Sequence, residues 1–578
     1  MARLCMCAAI CLALALAPLT FAAWPNDPAQ NLVICNCLGQ QIAPKLATTS
    51  SGGCYIGWYD NDSGNFDVYL QRLNEHGVPQ WQENGVCVDG NPQLAQITDW
   101  DLAVDHSDHC VVAVNDARGG GGNLNVYGYR IGPGCSFDWG GGGLAMSDND
   151  DREPDPRLAV TTGGNVVFVW EQETATGSVV NLRKVNPDGG NCWFPYTLTL
   201  SSDHGISAPR VVACEDDGVI VQYLKAQSSD PQGERYIYVQ KFNSQAVSLW
   251  PNGGVAVCTA GGIESGAEPE IIADGRGGIY CYWHDARIPD SYHAYVQHID
   301  SSGTPLWTEN GVRLSLTETQ LQMKPALVAF PGTGEVMAFY ETTDANHTPH
   351  GLAGQLISAA GDRPWGYHGV TFVPMGELSP CNILAFPLND GAIVVYREFA
   401  PGSTTGTVIK AFRVDHDGTM VWPNSPTDVC AVPSEKSCMS GSMNGLGQVI
   451  VAWTDMRVDA SGDLYLQNIN PDGTLGDYTP EAADDRMASR SDEFALKTNY
   501  PNPFNAVTRI AFALPRSVPV ELVVYNLIGQ EVARLVDGPM AAGEHELLFD
   551  GAGLASGTYV YRLTTNDFTA QRTMILTK

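Results

Sequence analysis

Positive charge is what this chain has least of. Its 32 Lys and Arg stand against 64 Asp and Glu, a formal net charge of −32 over 578 residues. A surface so acidic excludes nucleic acid and anionic membrane as partners, because phosphate binding needs the opposite sign. The excess is confined to the part before residue 494: from there onward seven Lys and Arg balance seven Asp and Glu. Long apolar runs are absent after residue 23, so no transmembrane segment is expected once a leader is removed. Helical periodicity is missing as well, and short alternating runs dominate. No H-E-x-x-H, G-x-S-x-G or P-loop motif occurs, which removes the local signatures of several hydrolase and nucleotide-binding classes. No C-x-x-C occurs either, which removes the usual zinc spacing.

What is present begins with a leader. Arg3, an apolar stretch over 4–17, Pro18 and a small-residue cleavage site at Ala22 or Ala23 read as a signal peptide over 1–23. A membrane anchor over 4–23 is the alternative; Pro18 and the small residues after it favour cleavage. Cys5, Cys7 and Cys11 lack the setting of a lipoprotein signal. Removing them leaves 13 of the 16 cysteines, an odd number for an exported chain.

High Gly (61) and Pro (35) contents fit a turn-rich all-β protein, and a repeat organises it. Trp58, Val114, Trp170, Tyr223, Trp283, Tyr340, Tyr396 and Trp453 each end an apolar strand, at spacings of 56, 56, 53, 60, 57, 56 and 57 residues. A second series, Trp81, Trp139, Trp193, Trp250, Trp307, Trp365 and Trp422, follows 23 to 27 residues behind. About 55 residues hold four short strands and their turns, the unit of a β-propeller. The eighth unit lacks a second tryptophan, but WPNDPAQNLVIC at 24–35 is similar to WPNGGVAVC at 250–258. The segment 24–35 is therefore expected to supply the outer strand of the last blade, closing an eight-bladed ring over 24–476; seven blades is the alternative. Only Trp100 falls outside this scheme.

The segments LNEHGVPQW (73–81), IDSSGTPLW (299–307) and VDHDGTMVW (414–422) share an Asp or Asn, a Gly, and a Trp four residues later. This resembles the tryptophan-docking repeat of the quinoprotein propellers, and the resemblance implies fold only. The adjacent Cys-Cys pair of quinoprotein dehydrogenases is missing, Cys35-x-Cys37 being the nearest approach, so no quinone cofactor is expected. The aromatic follows the Gly by four residues, not by the three of a sialidase Asp-box.

Three turns repeat as Asp116/Arg118, Asp285/Arg287 and Asp455/Arg457. Recurrence around a ring favours structural ion pairs over ligand contacts. The acidic loop 60–67 offers Asp60, Asp62 and Asp67 as hard oxygen ligands for calcium, but it lacks the glutamate and spacing of an EF-hand, and a solvated turn is the favoured reading. Residues 148–153 form a similar acidic loop. Cys87, Cys258 and Cys430, at equivalent points, read as small buried hydrophobes. His284 and His293 are particular to the fifth unit. A carboxylate pair of glycosidase type, set by space and not by sequence, stays open.

Residues 477–493 are polar and rich in small residues, and read as a linker. Residues 494–578 carry six alternating strands separated by turns and are expected to form a small Ig-like β-sandwich. NYPNPFN at 499–505, VYNLIGQEV at 524–532, AGEHELLFDG at 542–551, SGTYVYRL at 556–563 and Lys578 resemble the type A C-terminal sorting domain of type IX secretion substrates. Ala506 and Phe549 depart from the usual Pro and Trp. The resemblance implies export to the outer cell surface or the medium through the type IX translocon, with Pro501, Asn502, Pro503, Phe504, Gly557, Tyr559 and Lys578 as the sorting motif. A similarity to the Ig-like module of flagellar hook-capping proteins gives an adhesive domain as the alternative. For the propeller, the expectation is a non-enzymatic binder of an extracellular carbohydrate or protein ligand, the alternative a polysaccharide hydrolase or lyase with carboxylates at the channel mouth.

Overall fold

The computed structural model describes residues 24–478 and 494–577, apart from 92–98, 119–122, 231–232, 264–267, 289–290, 347–349, 377, 401–402, 404–405, 498, 500, 501, 503, 515–517, 527, 541–542 and 566–567. The segments read from the sequence as a signal peptide, 1–23, and, for the most part, as a linker, 477–493, lie outside the described residues. The chain divides into two compact units after Asp477. Among the described residues the regular structure is all strand, and no helix is long and apolar enough to cross a membrane.

The first unit holds eight four-stranded antiparallel sheets. Blades 1 to 7 are contiguous, over 41–89, 101–145, 157–200, 206–258, 270–313, 321–373 and 379–434. Blade 8 takes Lys436–Met443, Val449–Asp455 and Asp463–Ile469 from the end of the unit and Leu32–Cys35 from its start. Leu32–Cys35 pairs antiparallel on Asp463–Ile469, with Leu32 opposite Leu466 and Val33 opposite Tyr465. The ring therefore has eight blades and not seven. Its inner seam is sealed where Thr48 Oγ1 of blade 1 donates to the Met443 carbonyl of blade 8 at 3.0 Å. Pairing the two ends in one sheet removes the open edges a linear array would expose.

Each blade is fixed to the next by one indole. Trp81, Trp139, Trp193, Trp250, Trp307, Trp365 and Trp422 donate Nε1–H to the carbonyls of Pro133, Pro187, Ser244, Ser301, Ala359, His416 and Pro471, at 2.8 to 3.2 Å. Trp24 completes the circle on the Glu75 carbonyl at 3.0 Å. Two residues beyond each acceptor the backbone is left-handed: Gly77, Cys135, Gly189, Ala246, Gly303, Gly361, Gly418 and Gly473 all have φ between 66° and 86°. Glycine suits six of the eight because the indole lies against this point. A Cβ on Gly303 would stand 2.8 Å from Trp250, and one on Gly473 2.7 Å from Trp422. The residual Trp100 is buried and donates to the Ala43 carbonyl at 3.1 Å, filling space that only Gly57 leaves open.

The anchors Trp58 through Trp453 fall on the second strand of every blade, and the first strand lines the central channel. Five of the first strands shift register, at 42–45, 207–210, 323–326, 381–384 and 437–440. Ala43, Ala208, Lys324, Asn382 and Cys438 are left-handed there, with φ of 47° to 52°, as is Asp155 just ahead of the unshifted inner strand of blade 3. A bulge of this kind re-aims the following side chains, and each such residue costs of order 1 kcal/mol or more.

The second unit is a two-sheet sandwich. Ala495–Leu496, Val507–Leu514 and Gly543–Asp550 form one sheet; Glu531–Met540, Val518–Asn526, Gly557–Thr564 and Thr569–Leu576 form the other. Phe504, Phe512, Phe549, Tyr561 and Met574 fill the space between them.

Candidate functional site

The inner strands of blades 1 to 5 gather a cluster of charged groups at the channel. Lys45, Asp99, Asp101, Arg157, Arg210 and Glu270 line a polar cavity of about 250 Å³, with Val211 and Ile271. Apart from Asp99, these charged residues come from one repeated backbone location, which carries Lys, Asp, Arg, Arg and Glu in blades 1 to 5. At the corresponding point blades 6, 7 and 8 present Ala326, Leu384 and Ser440, so the charge occupies one side of the ring. Asp99 accepts from Lys45 Nζ at 3.0 Å and from Arg157 at 2.8 Å. Arg210 forks across Glu268 at 2.6 Å and Glu270 at 2.9 Å. The backbone joins in, Asp99 N donating to Asp155 at 2.7 Å and Leu158 N to Asp101 at 3.0 Å.

These contacts push the two neighbouring aspartates in opposite directions. Burial raises the Asp101 carboxyl above the usual carboxylate range, only partly opposed by Arg157 and Lys45. Burial acts on Asp99 as well, but there Lys45 and Arg157 outweigh it and hold the carboxyl below that range. Burial would depress Arg210, yet Glu270 and Glu268 together raise it. The result is a rigid alternation of donors and acceptors, in which the cations and most carboxylates already hold a charged partner.

None of these residues was singled out by the sequence motifs. The available signal was a recurrent Pro-charged step whose proline lies 14 residues before the anchor: Pro44-Lys45, Pro156-Arg157, Pro209-Arg210 and Pro269-Glu270. Proline marks the point where the inner strand leaves its ladder.

The residues that the sequence did single out lie elsewhere. The Asp-x-Arg turns are ion pairs within the turn: Arg287 reaches Asp285 at 2.6 Å, Arg457 reaches Asp455 at 2.6 Å, and Arg118 reaches Asp116 at 2.5 Å. They are buried, not exposed, the aspartate side chains being fully covered. Each guanidinium also lies over a tyrosine, Tyr127, Tyr295 or Tyr465, at 3.6 to 4.0 Å. Cys258 and Cys430 are buried as expected, but Cys87 is exposed. His293 is buried between Ser291 and Gln322, and burial lowers its imidazole below the ordinary value. His284 Nδ1 meets the Lys324 amide at 3.4 Å. In the acidic loop, Asp60 and Asp67 face each other across a strand pair and are buried, whereas Asp62 is exposed. The atoms that converge on Asp60 are the sulfurs of Cys35 and Cys37, all within 4.8 Å of one another. Among the described residues no disulfide occurs.

In the second unit, Phe504 sits in the core, its N–H donating to the Ile575 carbonyl at 2.9 Å. Asn502 accepts from Ile575 N at 2.9 Å and donates to the Thr573 carbonyl at 3.2 Å. Tyr559 donates to the Ala555 carbonyl at 2.7 Å, close to Gly557. Pro501, Pro503 and Lys578 lie outside the described residues.

Residues 498–577 match the family described as "Secretion system C-terminal sorting domain". The chain is an eight-bladed propeller that carries a type IX secretion sorting domain, an exported protein that is secreted and attached to the cell surface. No curated protein matches this chain. Solved structures with a similar arrangement include the α-L-arabinanase of Penicillium chrysogenum complexed with arabinobiose, at 14% identity over 55% of this chain and 92% of that one, TM-score 0.31. Polysaccharide lyase Uly1 shares 10% identity over 78% of this chain and 92% of its own, TM-score 0.43. The endo-arabinase from Bacteroides thetaiotaomicron shares 12% over 49% and 99%, TM-score 0.27.

Proposed function

We propose that the propeller binds an extracellular carbohydrate at the charged cavity on the channel side of blades 1 to 5, without turning it over. One observation carries this reading. The cavity is walled by forked and bridged ion pairs, Lys45–Asp99–Arg157 and Glu268–Arg210–Glu270, that hold their groups in fixed orientations. Sugar hydroxyls both donate and accept, and preorganised carboxylates and guanidinium groups suit them at little ordering cost. A carboxylate already clamped by a cation is a poor proton carrier, so the same pairing speaks against acid and base work at Asp99, Glu268 and Glu270.

A second reading, a hydrolase or lyase, is favoured by one specific feature: Asp101 is raised and Asp99 lowered within two residues of each other, the split that acid and base roles require. Binding and turnover of soluble polysaccharides, measured together on the parent, Arg210→Ala and Asp101→Asn, separate the two. Binding without products, about tenfold or more weaker in Arg210→Ala as expected for a lost charge-assisted hydrogen bond, supports the binder. Products that disappear in Asp101→Asn while binding persists support the enzyme.

A further inference from the structure

Blade 1 repeats the buried aspartate turn of blades 5 and 8 without its cation. In blade 5, Asp285 accepts from the Trp283 indole at 2.7 Å and from Arg287, which also reaches the sulfur of Cys258 on the preceding blade at 3.1 Å and the Asn310 carbonyl at 3.0 Å. Blade 8 does the same with Trp453, Asp455, Arg457 and Cys430, the sulfur again at 3.1 Å. In both places the guanidinium lies between a buried carboxylate and a buried thiol.

The turn in blade 1 has the same backbone. The Asp62 amide donates to Asp60 Oδ1 at 3.0 Å, as the Arg287 and Arg457 amides do to their aspartates at 3.2 and 3.0 Å. Trp58 donates to Asp60 Oδ2 at 3.3 Å, longer than its counterparts, and Cys35 approaches the same oxygen at 3.6 Å. Yet the side chain at the arginine position is Asp62. Among the described residues no Lys, Arg or His is paired with Asp60. The neighbourhood is more negative still: Asp67, opposite Asp60, is buried with Oδ1 lacking a hydrogen-bond partner. Cys37 takes the place that Asp89 holds beside Arg118 in blade 2, where the guanidinium reaches Asp89 at 3.4 Å. Blade 1 thus keeps every anionic or thiol element of the cassette, adds a second sulfur, and loses the positive charge that neutralises the set elsewhere.

We propose that a single thiophilic divalent cation of the zinc class occupies this place, held by Cys35 Sγ, Cys37 Sγ and Asp60, with Asp62 or water in the fourth position. Two sulfurs and one carboxylate oxygen within 4.8 Å of one another match a tetrahedral centre, in which sulfurs about 2.3 Å from the metal stand roughly 3.8 Å apart. The donor softness selects zinc over calcium, which takes oxygen ligands only. Both thiols release their protons on binding, and the cation replaces the desolvation cost of a buried carboxylate with direct coordination. Because Cys35 belongs to the closing strand and Asp60 to blade 1, the ion would clamp the ring at its seam.

The test uses the full chain purified under reducing conditions, with zinc, cobalt and calcium as probes. One zinc per chain is expected, with a thiolate-to-cobalt charge-transfer band on cobalt substitution and a fall in Tm on chelation. Cys35→Ser should lose the band. Asp62→Arg, which rebuilds the blade 5 cassette, should bind no metal, remain folded, and show a Tm indifferent to chelator. A cobalt spectrum without thiolate character, unchanged metal content in a folded Asp62→Arg, or a Cys35–Cys37 disulfide in the reduced-purified protein would overturn the assignment. Calcium binding that survives Cys35→Ser would also overturn it, in favour of an all-oxygen site at Asp60, Asp62 and Asp67.

Discussion

The indole of Trp24 donates to the carbonyl of Glu75 at 3.0 Å and so docks blade 8 on blade 1, from the segment that also bridges the one break in the ring's covalent path, inside blade 8 between Asp463–Ile469 and Leu32–Cys35. Seven other tryptophans make the same bond between consecutive blades. Trp24 differs because the strand that follows it, Leu32–Cys35, is held in blade 8 by pairing alone, with no hairpin loop joining it to Asp463–Ile469. Trp24→Ala should therefore destabilise the propeller by about 3–5 kcal/mol, the range for truncating a buried aromatic, read by urea denaturation. Deleting residues 24–35 should cost at least as much. An unchanged midpoint in either variant would contradict closure through this segment.

The left-handed residue under each docked indole gives a matched pair of substitutions. Gly303 has φ of 86°, and a Cβ there would stand 2.8 Å from Trp250. Gly303→Ala is expected to destabilise by about 2 kcal/mol or more, strain and overpacking adding together. Ala246 occupies the same position in blade 4 at φ of 69°. Ala246→Gly removes the strain and should be neutral or stabilising by up to ~1 kcal/mol. Thermal denaturation of both variants checks the contrast in sign.

Asp89 makes stability depend on pH. Burial and the adjacent Asp116 carboxylate push its carboxyl up to about 7, only partly opposed by Asn91 and Arg118. The folded chain thus holds a proton that the unfolded chain releases at ordinary carboxylate values. Stability from this group is present at low pH, declines as pH rises from about 4 towards 7, and is lost above it. Asp89→Asn should be more stable than the parent by about 1 kcal/mol or more near pH 8, the difference shrinking towards pH 4. Denaturation curves at both pH values decide it; a pH-independent difference would contradict the assignment.

The sorting domain predicts a change of address, not of fold. Removing residues 498–577, which match the sorting family, should leave a folded propeller inside the outer membrane. Surface protease accessibility and cell fractionation report this directly. Surface display of the truncated chain would contradict export through that domain.

The ring was legible because its repeated parts are chemically loud. Tryptophans at 81, 139, 193, 250, 307, 365 and 422, and glycines four residues before most of them, must recur wherever one blade docks on the next. Closure by 24–35 was readable for the same reason, as a displaced copy of 250–258. The inner strands were not readable in this way. QIAPKLAT at 41–48 is interrupted by proline and by a left-handed Ala43, so it lacks the alternation that marks a strand. The residues that differ between blades, Lys45, Asp101, Arg157, Arg210 and Glu270, meet only through closure of the ring, which brings together groups up to 225 positions apart in the sequence. The Asp-x-Arg turns were readable as structural pairs, but their burial under Tyr127, Tyr295 and Tyr465 depends on neighbouring strands. Cys35 and Asp60 meet for the same reason as the cavity residues, across a seam that no local motif records.

Calorimetric titration of soluble polysaccharides into the full chain and into Arg157→Ala/Arg210→Ala, with product analysis on the same samples, tests the central claim most directly. Saturable binding by the parent, lost or about a hundredfold weaker in a double variant that stays folded, with no product from either, is the expected result. Binding of equal strength in the double variant would place the ligand elsewhere and contradict the assignment of the blade 1 to 5 cavity.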